Sequence, residues 1–505
     1  MPPTSPTANF DLTSRALQVD SLPRSSSSAI PMWPHSPPAH SRPDFELGRG
    51  RQVMGGVRCG LRMGLPTSTR GNHMVRARGL IVLTTATLVA FACGGTTGGG
   101  GGASKGTIKI GSDLPVCTIG GQAVSNGVQF AVNQKNAAGG VEGYTIQYQS
   151  FDDCRQGAYS ADAGVDNVRK MLDDNKFLGM VGPYNSAVAK AEIPIAAPKH
   201  FVMISPANTN PCLTKDIAGC AYHPQDLRAG NANNYWRVVT TDDYQGPAMA
   251  TYAYKTLGIK NIGILDDSTV FGVGIAGSFE QQFKSLGGTV AKHSEYKKEQ
   301  TSDFKSILLG FKNAGALGVY VGGTDDQNIC IPRKQMKDIG WDAPFMGGDG
   351  IETSDCVDQA SGNEPNIYAT SAGADATKVD GAKQAIADFR KAFSGPNDFG
   401  GYTMQAYDAA NALMAAIGRA VKNANGTPSR EQVRAEMAKT TGFKGVIGTY
   451  DFDKNGDTSL KIVSIYVVTG SLSDAAIKDS TGVCGSKTKN ACFVWKTQFD
   501  FAKPA

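Results

Sequence analysis

From Thr107 the chain alternates short runs of apolar and β-branched residues with longer stretches in which apolar residues recur every three or four positions. The short runs are Thr107–Ile110, Thr145–Tyr148, Phe177–Val181 and Phe201–Ile204, then Asn261–Leu265, Leu317–Val321 and Ala343–Met346. Such runs predict strands buried in a sheet. Between them the spacing predicts helices: Ile275, Phe279, Phe283 and Leu286 fall on one side of a helix and give it an apolar stripe to lay against a sheet. Glycine pairs mark helix ends at Gly139-Gly140 and Gly287-Gly288, and Ser302 is the expected N-cap of a helix beginning near Phe304. Strands alternating with helices imply α/β architecture, with doubly wound parallel sheets covered on both faces. One sheet of ten or more strands would be unusual, and the Gly-, Asn- and Asp-rich stretch from Ala229 to Gly246 reads as a junction. Two lobes are therefore expected, with a cleft outside the carboxyl ends of their strands.

Charge divides the chain differently. The whole carries +5, but residues 1–92 hold ten Arg, no Lys and four acids, whereas the remainder is nearly neutral. A neutral body lacks the clustered Lys and Arg that a nucleic-acid partner requires. Leu80 to Ala92 is the longest apolar run, preceded by Arg76 and Arg78 and followed by Cys93. It is too short to cross a bilayer and reads as a signal peptide, residues 74–92, with Met74 a plausible start. Ala90-Phe91-Ala92-Cys93 resembles a bacterial lipoprotein cleavage box, which implies lipid on Cys93. The glycine-rich residues 93–105 then form a tether, so that contact with the membrane is by lipid anchor alone. The Leu and small residue usual at positions 90 and 91 are here Ala90 and Phe91. Residues 1–73, rich in Pro, Ser and Arg, are expected to be a disordered extension or to precede the true start.

Apart from Cys59 and Cys93, eight cysteines remain, and an even set in an exported chain argues for disulfides. Closeness favours Cys212–Cys220 and Cys484–Cys492, leaving Cys117–Cys154 and Cys330–Cys356. None has zinc-like spacing, and His200, His223 and His293 stand alone, so no metal or other cofactor is expected. Asp451-x-Asp453-x-Asn455-Gly456-Asp457 begins like a calcium loop, but Ile462 stands where the twelfth-position Glu is needed. A turn is expected there.

The segments after the expected strands carry the candidate chemistry. They are Gly182 to Ser186, Ser205 to Thr209, Asp266 to Gly272, Gly322 to Asp325 and Gly347 to Gly350. Ser186 opens a helix, whose free N–H groups favour an anion, and Thr209 adds a hydroxyl. Asp349, between glycines that let a ligand approach closely, offers the opposite charge. Together they suit a zwitterion.

Several short motifs occur in order through about 350 residues: Ala137-Ala138-Gly139-Gly140-Val141-Glu142-Gly143, Phe151-Asp152-Asp153, Met203-Ile204-Ser205-Pro206-Ala207-Asn208-Thr209, Phe345-Met346-Gly347-Gly348-Asp349-Gly350 and Val446-Ile447-Gly448. With these the span from Thr107 to Asp457 resembles the branched-chain amino-acid-binding proteins of ABC transporters. The resemblance implies a type I bilobal fold with a multi-strand hinge. It also implies an amino acid or analogue as ligand and a membrane permease as partner. Ser186, the backbone of Ala207, and Thr209 would hold the ligand carboxylate, and Asp349 the ammonium. Thr324 stands where the family has a tyrosine, Phe271 near an aromatic wall, and Tyr184-Asn185 where an apolar pair is usual. Asn185 and Asp325 would make the pocket more polar. The expected division is an N-lobe of residues 106–240 with 370–445, a C-lobe of 241–369 with 446–480, and a disulfide loop and tail at 481–505. A ligand-sensing module working with a signalling partner, and a binder of a small amide or carboxylic acid, are the alternative functions. An enzyme is disfavoured, because the sequence has no Gly-x-Ser-x-Gly elbow, His-Glu-x-x-His or Walker loop.

Overall fold

The computed structural model describes residues 104–395, 397–470, 472–473, 483–488 and 490–503. The 1–73 extension, the apolar run, Cys93 and most of the glycine tether lie outside the described residues.

The first lobe is built on β1 (Thr107–Leu114), β2 (Thr145–Asp152), a small hairpin of β3 (Cys154–Arg155) and β4 (Ala158–Tyr159), β5 (Phe177–Val181), β6 (Val202–Ser205) and β7 (Tyr235–Arg237). Five of these form a parallel sheet in the order β2-β1-β5-β6-β7. One face is covered by helices Ile119–Ala137 and Thr403–Ala424 around Val128, Leu178 and Leu413; the other by helices Ala161–Asp173 and Ser186–Ala196 around Met171, Met180 and Ile193. All five residues of β5 are buried, as a strand covered on both faces must be.

The second lobe contains β8 (Asn261–Asp266), β9 (Thr289–Glu295), β10 (Val319–Gly322), β11 (Phe345–Gly347) and β12 (Ile367–Ser371). Further along the chain come the hairpin β13 (Phe443–Gly445) and β14 (Gly448–Tyr450), then β15 (Ile462–Thr469) and β16 (Cys492–Asp500). The sheet order is β16-β15-β12-β11-β10-β8-β9, parallel except for β15 and β16. The chain passes between the sheets after Arg237, after Ser371 and again before Ile462. The crossings are tied together: the Thr240 N–H donates to the Ala372 carbonyl at 3.0 Å, and the Ser464 hydroxyl donates to the Gly373 carbonyl at 2.8 Å.

The expected helix around Ile275–Leu286 spans Val270–Ser285, with Ile275, Phe279 and Phe283 fully buried. Ser302 is not a cap. The helix begins at Lys305, and the N–H of Phe304 is satisfied from the neighbouring helix by Gln335 Oε1 at 2.7 Å. Residues 446–458, assigned to the C-lobe from sequence, sit with the first lobe, because Asp457 is buried against Arg237 at 2.6 Å. The expected tail is a nine-residue edge strand, β16, paired antiparallel with β15. The eight cysteines form Cys117–Cys154, Cys212–Cys220, Cys330–Cys356 and Cys484–Cys492.

Candidate functional site

The carboxyl ends of β5 and β6 face those of β8, β10 and β11, and the loops that follow these strands meet. Asn210 Nδ2 donates to the Val270 carbonyl at 2.8 Å, the Tyr159 N–H donates to Asp326 Oδ2 at 3.1 Å, and Tyr402 donates to Asp349 at 2.6 Å. Each bond joins one lobe to the other. Between the lobes lies a cavity lined by eight of the nine sequence-selected residues: Tyr184, Asn185, Ser186, Ala207, Thr209, Phe271, Thr324 and Asp349. Asp325 is the exception and lines an adjoining cavity that shares Tyr184, Asn185, Thr324 and Gly350.

On the first-lobe side, Ser186 is the first residue of the Ser186–Ala196 helix, and the capping position belongs to Asn185, whose side chain makes no capping bond. The N–H groups of that first turn have no intrahelical acceptor, and the helix dipole adds partial positive charge there. Ser205 shapes the next loop: its hydroxyl donates to the Pro183 carbonyl at 2.6 Å and accepts from the N–H groups of Ala207 and Asn208 at 3.2 and 2.8 Å. The Ala207 N–H is therefore already engaged, which weakens its expected part in holding a carboxylate. Thr209 is 1% exposed, and its hydroxyl has no partner of full hydrogen-bond geometry, although it stands near enough to the Asp242 carboxyl to favour the ionised form. Asn185 Oδ1 is likewise buried without a partner.

Asp349 occupies the facing turn. Its Oδ1 accepts from Gln245 Nε2 at 2.9 Å and its Oδ2 from the Tyr402 hydroxyl at 2.6 Å, and it forms no ion pair among the described residues. Burial pushes its carboxyl up to about 6, against the opposing effect of those two donors. Gln245 also donates to Asp242 and accepts from Thr370 Oγ1 at 2.9 Å, while the Tyr402 hydroxyl accepts from the Ala372 N–H at 3.0 Å. Asp349 is thus held by two groups that are themselves bonded to Thr370 and Ala372, on either side of the crossing at Ser371.

The flanking glycines serve packing rather than ligand approach. A Cβ at Gly350 would lie 2.3 Å from the Gly323 carbonyl oxygen, and one at Gly348 would lie 2.3 Å from Ile275 Cδ1. Phe271 walls the cavity at 8% exposure. Thr324 and Asp325 are largely committed elsewhere. The Thr324 hydroxyl donates to Asp326 at 2.5 Å, and the Asp325 oxygens accept from the Asp326 N–H at 2.9 Å and the Thr353 hydroxyl at 2.7 Å. Sequence reasoning missed Gln245 and Tyr402. Gln245 lies within a helix and carries no local signal; Tyr402 follows Gly400-Gly401, which offers only a hint.

Residues 115–471 match the family model described as periplasmic binding protein. A Leu/Ile/Val-binding protein homolog from Brucella abortus is 29% identical over 374 residues, covering 73% of this chain and 90% of that protein. An amino acid binding protein from Pseudomonas aeruginosa is 26% identical over 351 residues, covering 69% and 85%. Among solved structures, a leucine-binding protein from Thermotoga maritima superposes with a TM-score of 0.63 at 23% identity, covering 78% of this chain and 99% of that one. A solute-binding protein from Rhodopseudomonas palustris in complex with 4-hydroxybenzoate gives 0.62 at 17% identity, covering 78% and 97%. At these identities the structural likeness speaks for the two-lobed fold.

Proposed function

From the premise that the chain belongs to the periplasmic binding protein family, we propose that it captures an α-amino acid outside the cytoplasm and delivers it to an ABC transporter permease. The observation that carries this reading is Asp349, a buried carboxylate held by neutral donors only, set across one small cavity from a helix N-terminus. The ligand carboxylate lies on the first-turn N–H groups and the hydroxyls of Ser186 and Thr209, and its ammonium on Asp349. Tyr184 and Phe271 wall the space. The named relatives, a Leu/Ile/Val-binding protein homolog and an amino acid binding protein, support the ligand class. Closure of the two lobes around ligand presents a form that the permease recognises.

Ammonium recognition is tested by calorimetry with amino acids and with analogues lacking the amino group. Leaving an ammonium unpaired in a closed cleft costs roughly 2–5 kcal/mol, so Asp349→Ala should weaken binding by about 30-fold or more. Equal affinity for the deaminated analogue, with no effect of Asp349→Ala, would replace this reading with a carboxylic-acid binder. Cys93 is read as the lipidated first residue of the mature chain. Mass spectrometry of the membrane fraction should find acylated Cys93, and an unmodified Cys93 would remove the anchor.

A further inference from the structure

Beside the Asp349 cavity, and sharing Tyr184 and Asp349 with it, lies a second one. Ile119, Val124 and Phe399 give it apolar walls, with Tyr402 alongside. Glu352 also lines it, and this group does not suit an apolar pocket. It is 6% exposed, and its Oε1 has no hydrogen-bond partner among the described residues, although the Ser371 hydroxyl stands near enough to the carboxyl to favour its ionised form. Its N–H bonds the Asp349 carbonyl at 3.0 Å, so two carboxylates three residues apart hang from a single tight turn.

Among the described residues, no cationic side chain is set against this pair. No Lys, Arg or His among the described residues lines the Asp349 cavity, the Glu352 cavity or the adjoining one beside Asp325 and Asp326. The charges nearest Glu352 are those of Asp375 and Asp349, which add to burial in pushing its carboxyl well above the usual range. A buried carboxylate in such company must take up either a proton or a cation.

We propose that the ligand is an α-amino acid with a cationic side chain, its methylene stem lying along Ile119, Val124 and Phe399 and its terminal ammonium or guanidinium on Glu352. This rests on the reading of Asp349 as the α-ammonium site and deepens it. Asp349 and Glu352 then take the two positive groups of one molecule, while the Ser186 helix takes its carboxylate. An aliphatic side chain of leucine type would instead leave Glu352 holding a proton and facing methyl groups, with no partner for Oε1 among the described residues.

Titration calorimetry of the full chain decides between these, with L-lysine, L-ornithine and L-arginine set against L-norleucine, L-leucine and L-glutamine. At least one cationic amino acid should bind ten times more tightly than norleucine. Glu352→Gln, its fold checked by thermal unfolding, should erase that preference and leave norleucine within about threefold of its wild-type Kd. The wild-type comparison needs no variant. Norleucine, leucine or glutamine binding wild type as tightly as the best cationic ligand, or Glu352→Gln leaving the cationic preference intact, would overturn the inference while the Asp349 reading stands. If no α-amino acid binds, the Asp349 reading fails first and this inference falls with it.

Discussion

Tyr402→Phe removes one hydroxyl that serves two partners, donating to Asp349 at 2.6 Å and accepting from the Ala372 N–H at 3.0 Å. The ring stays, so packing is conserved. A hydrogen bond to a charged acceptor contributes about 1.5–3 kcal/mol, and one pKa unit is about 1.4 kcal/mol. Losing the bond should therefore raise the Asp349 carboxyl by about one to two units from its present value of about 6. The ionised carboxylate is the form that binds an ammonium. At pH 6.5 the wild-type group is about three-quarters ionised, but after a rise of about 1.5 units only about a tenth would be. The variant should then bind an amino acid roughly eightfold more weakly at pH 6.5 and nearly as well as wild type at about pH 8.5. Calorimetric Kd values across that pH range measure this directly. The Ala372 N–H, left without its acceptor, should also lower Tm, since an orphaned buried donor costs about 1–3 kcal/mol. A loss of affinity of the same size at every pH would show that Tyr402 acts by shape alone, and no loss would show that it does not act on Asp349.

Asp457→Ala leaves Arg237 buried without its counter-charge and should cost about 3–5 kcal/mol in urea unfolding; a loss below about 1 kcal/mol would refute the buried pair. Burial pushes Asp267, Asp325 and Asp408 up to about 7 and Asp113 and Asp349 to about 6, so the folded chain holds protons that the unfolded chain has released above about 4. Stability of the ligand-free protein should consequently fall as pH rises from about 4 to about 7. Asp457, held low beside Arg237, releases its proton below that window. A Tm that rises through the window in scanning calorimetry would contradict this. Replacing Cys117 and Cys154 together by Ala opens a link between residues 37 apart and should cost about 4 kcal/mol on chain-entropy grounds, with an unchanged Tm refuting it.

What the sequence by itself determined was set by local periodicity and by residue type at strand ends. Fully apolar runs such as Phe177–Val181 can only be covered strands, and the residues just past them, Ser186, Thr209 and Asp349, had to stand at the mouth of a cleft. The cysteines could be paired by nearness along the chain because each pair links adjacent segments. What depended on distant contacts was not legible. Strands β7, β12 and β16 hold strand-forming residues such as Tyr235-Trp236, Ile367-Tyr368 and Phe493-Val494-Trp495, but only sheet pairing shows where they belong. Asp457 read as one acid in a turn, because its partner Arg237 lies 220 residues away. Gln245 and Tyr402 carry no motif and belong to the site only because the packed lobes bring them to Asp349, whereas Glu352 shares the Asp349 turn and is marked out only by its burial. Which carboxylates lack a counter-charge, and hence which kind of side chain the cleft is built to take, is a property of burial and juxtaposition. Only the tertiary structure decided that, since the desolvation of a charge depends on everything packed around it rather than on its neighbours in the chain.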